Sequence, residues 1–237
     1  YQVFRPLLFE YVVSMPRGAA IVYPKDTGQI LMWADIAPGL TVVEAGAGSG
    51  SLTAYLLRAL GPDGHLGSYE IREDFAETAR RNVEQALGGT TPTAQGASWN
   101  LTVGDVRETI TETEIDRLIL DMVDPWTCIP LAVERLVPGG IVCAYVATTT
   151  QLSRFVETLR EDGGFTEPVA WETLQRDWHL EGLSVRPDHR MNGHTAFLVT
   201  ARRMAPGQHT LERTRRPAPG AYGEDYTGPR PFGSTAG

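Results

Sequence analysis

The chain has 237 residues, 42% of them hydrophobic, and a formal net charge of -8 at pH 7. That is enough apolar content for one well-buried domain, and it argues against a protein that is basic all over, as many general nucleic-acid binders are. No apolar run approaches about 20 residues and no charged-then-apolar leader with a cleavage site is present, so neither a membrane span nor a secretion signal is expected, and the cytoplasm is the default compartment.

The chain opens with "YQVFRPLLFEYVV", which looks like a strand, and starts on Tyr1 inside it, so the genuine start is expected upstream. From position 41 short β-rich runs alternate with helical patterns, which is the signature of βαβ units and a mainly parallel sheet. The expected strands are "TVVEAG" (41–46), "HLGSYE" (65–70), "NLTVGD" (100–105), "IDRLILD" (115–121) and "GIVCAYV" (140–146). Helices are expected between them, at 50–60, 73–87, 126–136 and 149–162. In the last of these Leu152, Phe155, Val156 and Leu159 repeat at helical spacing. After "GGF" at 163–165 the rhythm changes, and two or three antiparallel strands finishing the sheet fit better than another crossover. Residues 205–237 are rich in Pro and Gly and poor in aliphatics, so a mobile tail is expected there.

Cys128 and Cys143 lie in apolar stretches without CxxC spacing and read as buried free thiols. The five histidines are scattered, and the closest pair, His189 and His194, lacks further ligands, so no metal is expected. From Arg186 to Arg216 seven arginines stand against Asp188 and Glu212, which suits either one positive face or a solvated surface.

The stretch "TVVEAGAGSGSL" packs Gly46, Gly48 and Gly50 between a strand and a helix start, a turn that lets backbone N–H groups face a ligand without Cβ interference. A dinucleotide fingerprint read from Gly46 would need glycine at 51, where Ser51 stands, so the nicotinamide reading weakens. The pattern E-x-G-x-G-x-G resembles instead the first motif of class I S-adenosylmethionine-dependent methyltransferases. The resemblance implies a Rossmann-like α/β fold: a seven-stranded, mostly parallel sheet of order 3-2-1-4-5-7-6, strand 7 antiparallel, with helices on both faces. In that family the turn, here Glu44, Gly46, Gly48, Ser49, Gly50, Ser51 and Leu52, abuts the methionine and ribose part of the cofactor. An acid at the end of the second strand holds both ribose hydroxyls, a role that falls to Glu70, and two charge-assisted bonds to a diol justify that residue type. Asp105, followed by Val106, matches the adenine-contacting position, although an acid after a strand also serves as a helix cap.

A closer resemblance runs through most of the chain, to the bacterial and archaeal tRNA adenine-58 N1-methyltransferases. It rests on "RPLLFEYVVSMPRG" at 5–18, "YPKD" with Gln29 at 23–29, "EAGAGSGSLT" at 44–53, "LDMVDPW" at 120–126, "YVATTTQLSR" at 145–154 and "GHTAFLV" at 193–199. Gln29 is thereby placed with the cofactor residues. The resemblance assigns Asp121 the catalytic role of accepting a hydrogen bond from the exocyclic amino group while also meeting the cofactor. Tyr23 and Tyr145 match tyrosines that line the target-base pocket, and both also suit core positions. Trp126 suits packing, His194 a structural role, and Lys25, the only lysine, an exposed place or a phosphate contact. S-adenosylmethionine as cofactor, tRNA as partner and a homotetramer are what the resemblance implies. It also makes 1–25 a connecting segment after a small N-terminal β domain, and 26–204 the methyltransferase domain. Asp124 has no role in this reading. The alternatives are a protein isoaspartyl methyltransferase and a non-catalytic tRNA-binding partner subunit.

Overall fold

The β-branched runs and the amphipathic stretches between them settle into a three-layer α/β arrangement in the computed structural model, which describes residues 1–88 and 96–208. The strands are β1 (Thr41–Ala45), β2 (His65–Glu70), β3 (Ser98–Val103), β4 (Ile115–Leu120), β5 (Leu136–Val146), β6 (Val169–Trp171), β7 (Trp178–Glu181), β8 (Ser184–Pro187) and β9 (Phe197–Arg202). The helices are α1 (Leu8–Ser14), α2 (Pro24–Trp33), α3 (Ser51–Leu60), α4 (Glu73–Ala86), α5 (Val106–Thr109), α6 (Ile129–Arg135) and α7 (Thr149–Asp162). Seven strands form one sheet in the order β3-β2-β1-β4-β5-β9-β6. The first five run parallel, and β9 is antiparallel to both β5 and β6. This is the order expected of a class I methyltransferase.

Strand β1 is buried on both faces, with Val42 and Val43 fully covered, as a central parallel strand requires. Its odd and even residues feed two cores. Val43, Leu118, Leu120, Val142, Phe155 and Leu159 meet on one face. Val42, Ile119 and Cys143 meet Ile30, Leu56 and Leu60 of α2 and α3 on the other. Cys128 and Cys143 are both buried free thiols, and burial pushes them up to about 11 and about 12. Helix α7 starts on a reciprocal cap between Thr148 and Gln151 and stops at Gly163, whose φ of 72° favours glycine.

One expectation fails. The opening segment is not a strand: residues 8–14 form α1, because Leu8, Tyr11, Val12 and Met15 recur at helical spacing and pack with Ile21 and Tyr55. Glu10 secures its start by accepting the Leu7 N–H at 2.8 Å. Two antiparallel strands finish the sheet, within the expected two or three. Only β6 and β9 join it, while β7 and β8 pair off as a separate hairpin whose Trp178, Leu180 and Val185 are exposed and bury little against the body. Most of the expected tail, from 209 onward, lies outside the described residues. Among the described residues no helix is long and apolar enough to cross a membrane.

Candidate active site

Four consecutive parallel strands end at one edge of the sheet, and their ends build a cleft of about 390 Å³. It is lined by Gly46 and Gly48 after β1, Glu70 at the end of β2, Gly104 to Arg107 after β3, and Asp121 to Asp124 after β4. This is where open α/β sheets bind ligands. The three glycines of the turn do different things. A Cβ at Gly46 would come within 3.1 Å of a Glu70 carboxylate oxygen. Gly48 has φ of 55° and nothing within 4 Å of where a Cβ would stand, so its missing side chain is open space. Gly50, at φ of 84°, lets α3 approach α4, since a Cβ there would meet Val83 Cγ2 at 2.9 Å and the Ala79 carbonyl oxygen at 3.0 Å.

Glu70 is held by the turn it faces. One carboxylate oxygen accepts the Gly48 N–H at 2.9 Å and the other the Arg72 N–H at 3.0 Å. A carboxylate has about four lone-pair sites, so each oxygen keeps one for a further donor. Asp105 caps α5 by accepting the Arg107 N–H at 2.9 Å. It is also clasped by the Arg107 guanidinium, which holds its carboxyl below the usual range. Both the cleft position and the capping role expected of Asp105 are therefore present in one residue. Arg107 reaches on to Thr127 Oγ1 at 2.8 Å and Asp124 Oδ2 at 3.5 Å, which gives Asp124 a partner.

Asp121 lines the cleft, and among the described residues no side chain or backbone N–H donates to its carboxylate. Burial, with a smaller contribution from the negative charge of Glu70, pushes it up to about 7. Beside it, Tyr145 donates to Asp26 Oδ2 at 3.2 Å, and burial followed by the Asp26 charge raises its phenol. Tyr23 lies in a second hollow of about 520 Å³, together with Lys25, Arg190 and Thr195.

Other expected cofactor residues are not brought to the cleft. Glu44 is fully buried under β1, where Thr53 and Ser68 donate to one carboxylate oxygen at 2.7 and 2.8 Å and the other oxygen has no partner. Burial pushes Glu44 up to about 7, the charges of Asp121 and Glu70 adding to it against those two hydrogen bonds. Ser51 donates to the Val22 carbonyl at 3.1 Å, and Leu52 belongs to the core. Gln29 sits half-buried on α2 outside the lining. Ser49 does not line the cleft either, although its buried hydroxyl is unpartnered. Val106 does line it. Trp126 packs on the core with the Arg154 guanidinium 4.2 Å above its ring, and His194 bridges Glu172 and the Ala147 carbonyl.

Sequence reasoning missed Asp26 and the enclosure of Lys25. The lysine is not exposed. Its ammonium donates to Asp26 Oδ1 at 2.7 Å, Thr195 Oγ1 at 2.7 Å and the Thr173 carbonyl at 2.8 Å. The one available signal was "YPKD", where Pro24 marks a helix start and places Lys25 and Asp26 in the first turn.

An open backbone cradle at Gly48, a carboxylate with spare lone pairs on the facing strand and an acid after the next strand fit a nucleoside cofactor with a diol. Together with the sheet order they define a class I S-adenosylmethionine-dependent methyltransferase. The family described as "tRNA methyltransferase complex GCD14 subunit" matches residues 5–186, and the chain belongs to it. It is 34% identical over 221 residues to tRNA (adenine(57)-N(1)/adenine(58)-N(1))-methyltransferase TrmI of Methanocaldococcus jannaschii, covering 85% of this chain and 78% of the relative. It is 35% identical over 202 residues to tRNA (adenine(58)-N(1))-methyltransferase TrmI of Thermus thermophilus, covering 85% and 76%. A solved structure, a SAM-dependent O-methyltransferase of Thermotoga maritima, superposes with a TM-score of 0.78 at 32% identity, covering 86% of this chain and 74% of that one.

Proposed function

We propose that this chain transfers the methyl group of S-adenosylmethionine to N1 of adenine 58 in tRNA. The named activity of the two TrmI relatives supports the reading. The observation that carries it is Asp121: a cleft-lining carboxylate that no donor among the described residues satisfies, next to the glycine turn. When bound, the cofactor supplies an activated methyl on a sulfonium. Glu70 offers its spare lone pairs to the ribose diol, Gly46 and Gly48 leave room for the backbone to approach, and Asp105 and Val106 border the nucleobase end. Adenine N1 already has a neutral lone pair, so Asp121 is needed to orient the ring and to stabilise the positive charge it gains, by accepting from the amino group. Tyr23 and Tyr145 wall the base.

The same reading places the enzyme in the cytoplasm as a homotetramer acting on tRNA. The exposed apolar residues of the β7–β8 hairpin, together with Phe4, Leu7 and Phe9 near the start, support self-association. The test is nucleoside mass spectrometry of tRNA incubated with the protein and the methyl donor. N1-methyladenosine at position 58 is expected. Methylation of an isoaspartyl peptide with none in tRNA would overturn the reading.

A further inference from the structure

The buried polar cluster behind Tyr145 has a chemical consequence for which bases the enzyme accepts, and it rests on the adenine reading above. Asp26 is fully buried and paired with Lys25. A carboxylate so paired can only accept, so each of its contacts fixes the direction of a proton. Thr195 Oγ1 receives the lysine ammonium and passes its single proton to Asp26 Oδ2 at 2.7 Å. The Tyr145 hydroxyl gives its proton to the same oxygen at 3.2 Å. The phenol hydrogen is therefore committed inward, and the phenol oxygen has only lone pairs to present outward.

What lies outward follows from the sheet. Strands β4 and β5 run parallel with Ile119 opposite Cys143 and Leu120 opposite Ala144. Asp121 and Tyr145 follow directly on that last pair, near enough for the Asp121 charge to act on the Tyr145 phenol. Side chains alternate along a strand, so both stand on the face shared with Ile119 and Cys143. Two hydrogen-bond acceptors thus sit side by side at the strand ends.

We propose that Asp26 acts as a positioning residue that holds Tyr145 as an acceptor, so that Tyr145 and Asp121 together select a purine by its two-donor six-amino group. A base without that group leaves two desolvated acceptors unpaired, which costs the transition state more than it costs a partly hydrated ground state.

The test compares methyl transfer to tRNA carrying adenine or unsubstituted purine at the target, since both have the same N1 lone pair. The intact chain should prefer adenine by about 10- to 100-fold in kcat/KM. Asp26→Asn gives the phenol a donor in place of an acceptor and turns its proton outward. Tyr145→Phe removes the oxygen. Each should cut that preference by about 3- to 10-fold and leave the part that Asp121 holds, with KM for the methyl donor unchanged, and the double variant should lose no more than either single one. A wild-type preference in either variant, or losses that multiply in the double variant, overturns the proposal.

Absorbance titration of the phenols supplies a readout that needs neither tRNA nor a folded Asp26 variant. The transition missing from Tyr145→Phe should lie above the ordinary tyrosine value of about 10 in the wild type, since burial and the Asp26 anion both disfavour the phenolate. A Tyr145 that titrates at or below that value does not donate to Asp26, and the proposal fails. Absence of any tRNA methylation by the wild-type chain would instead bring down the function reading, while the titration still reports on the Asp26–Tyr145 pair.

Discussion

The molecule fully buries two carboxylates, Glu44 and Asp26, and treats the two in opposite ways. Glu44, on the strand before the glycine turn, is enclosed with two hydroxyl donors on one oxygen and, among the described residues, none on the other and no cation beside it. On the acceptor side Asp26 is equally buried, yet it is paired with a lysine and receives two hydroxyls as well. The first arrangement lets burial win and the group holds its proton near neutrality. The second keeps a charge in place and uses it to orient neighbours. The difference shows that burial alone does not decide what a carboxylate does; the count of donors and the presence of a counter-ion decide it.

Asp121 has neither donor nor cation among the described residues, so the largest effect is expected there. Asp121→Ala should lower kcat for tRNA methylation by about 100- to 1000-fold while calorimetry shows the methyl-donor affinity within about 3-fold of wild type. With its carboxyl at about 7, wild-type turnover should fall as pH drops through that value, because the protonated form has no negative charge to stabilise the positive charge the ring gains on methylation. Wild-type turnover in the variant would show that the cofactor and acceptor sides do not meet at this residue.

Glu70 tests the cofactor side alone. Its two backbone hydrogen bonds make it part of the turn, and loss of charge-assisted bonds to a diol costs about 1.5–3 kcal/mol. Glu70→Ala should therefore weaken donor binding by about 10- to 100-fold in calorimetry. An unchanged dissociation constant would remove it from the site. Gly50→Ala addresses the packing beneath the same turn. A strained φ of 84° and a contact 2.9 Å from Val83 Cγ2 should cost about 2–4 kcal/mol in urea unfolding.

The smallest effect sharpens the comparison of the two carboxylates directly. The folded-state value of Glu44 is about 7 against the ordinary 4.5, so between those values the folded chain holds a proton that the unfolded chain has lost. Its contribution to stability is complete below the lower value, falls as pH rises, and is gone above the upper one. Glu44→Gln should flatten the stability profile between pH 5 and 8 by roughly 1–3 kcal/mol, measured by urea titration at each pH. A profile as steep as wild type would mean that Glu44 carries its charge at neutrality.

The cofactor half was legible in the sequence because its parts are local. A strand, three glycines and a helix lie within "TVVEAGAGSGSL", and Glu70 and Asp105 mark themselves by ending the next two strands. The acceptor half was not, because its contacts join distant segments. Lys25 and Asp26 meet Thr173, Tyr145 and Thr195, separated by 119 to 170 positions. Only the family resemblance singled out Tyr23 and Tyr145, whereas Asp121 was marked both by that resemblance and by its place at the end of the fourth expected strand. The opening segment misled for a different reason: Val, Phe, Leu and Tyr in "YQVFRPLLFEYVV" have the composition of a strand, while the helical spacing of Leu8, Tyr11, Val12 and Met15 is decided by what they pack against. Glu44 shows the limit of motif reading. Its place in the pattern is right, but it lies two residues before Gly46, inside the strand, where Thr53 and Ser68 enclose it.

The enclosure of Lys25 bears on how any polyanion would be gripped. It is the only lysine of the 237 residues, and its ammonium is spent on three internal partners. Side-chain contacts to a phosphate backbone would therefore fall to arginine, whose planar fork engages two oxygens at once where an ammonium acts as a point charge. Reductive methylation of amines should leave RNA affinity intact, whereas a guanidine-directed dicarbonyl reagent should abolish it.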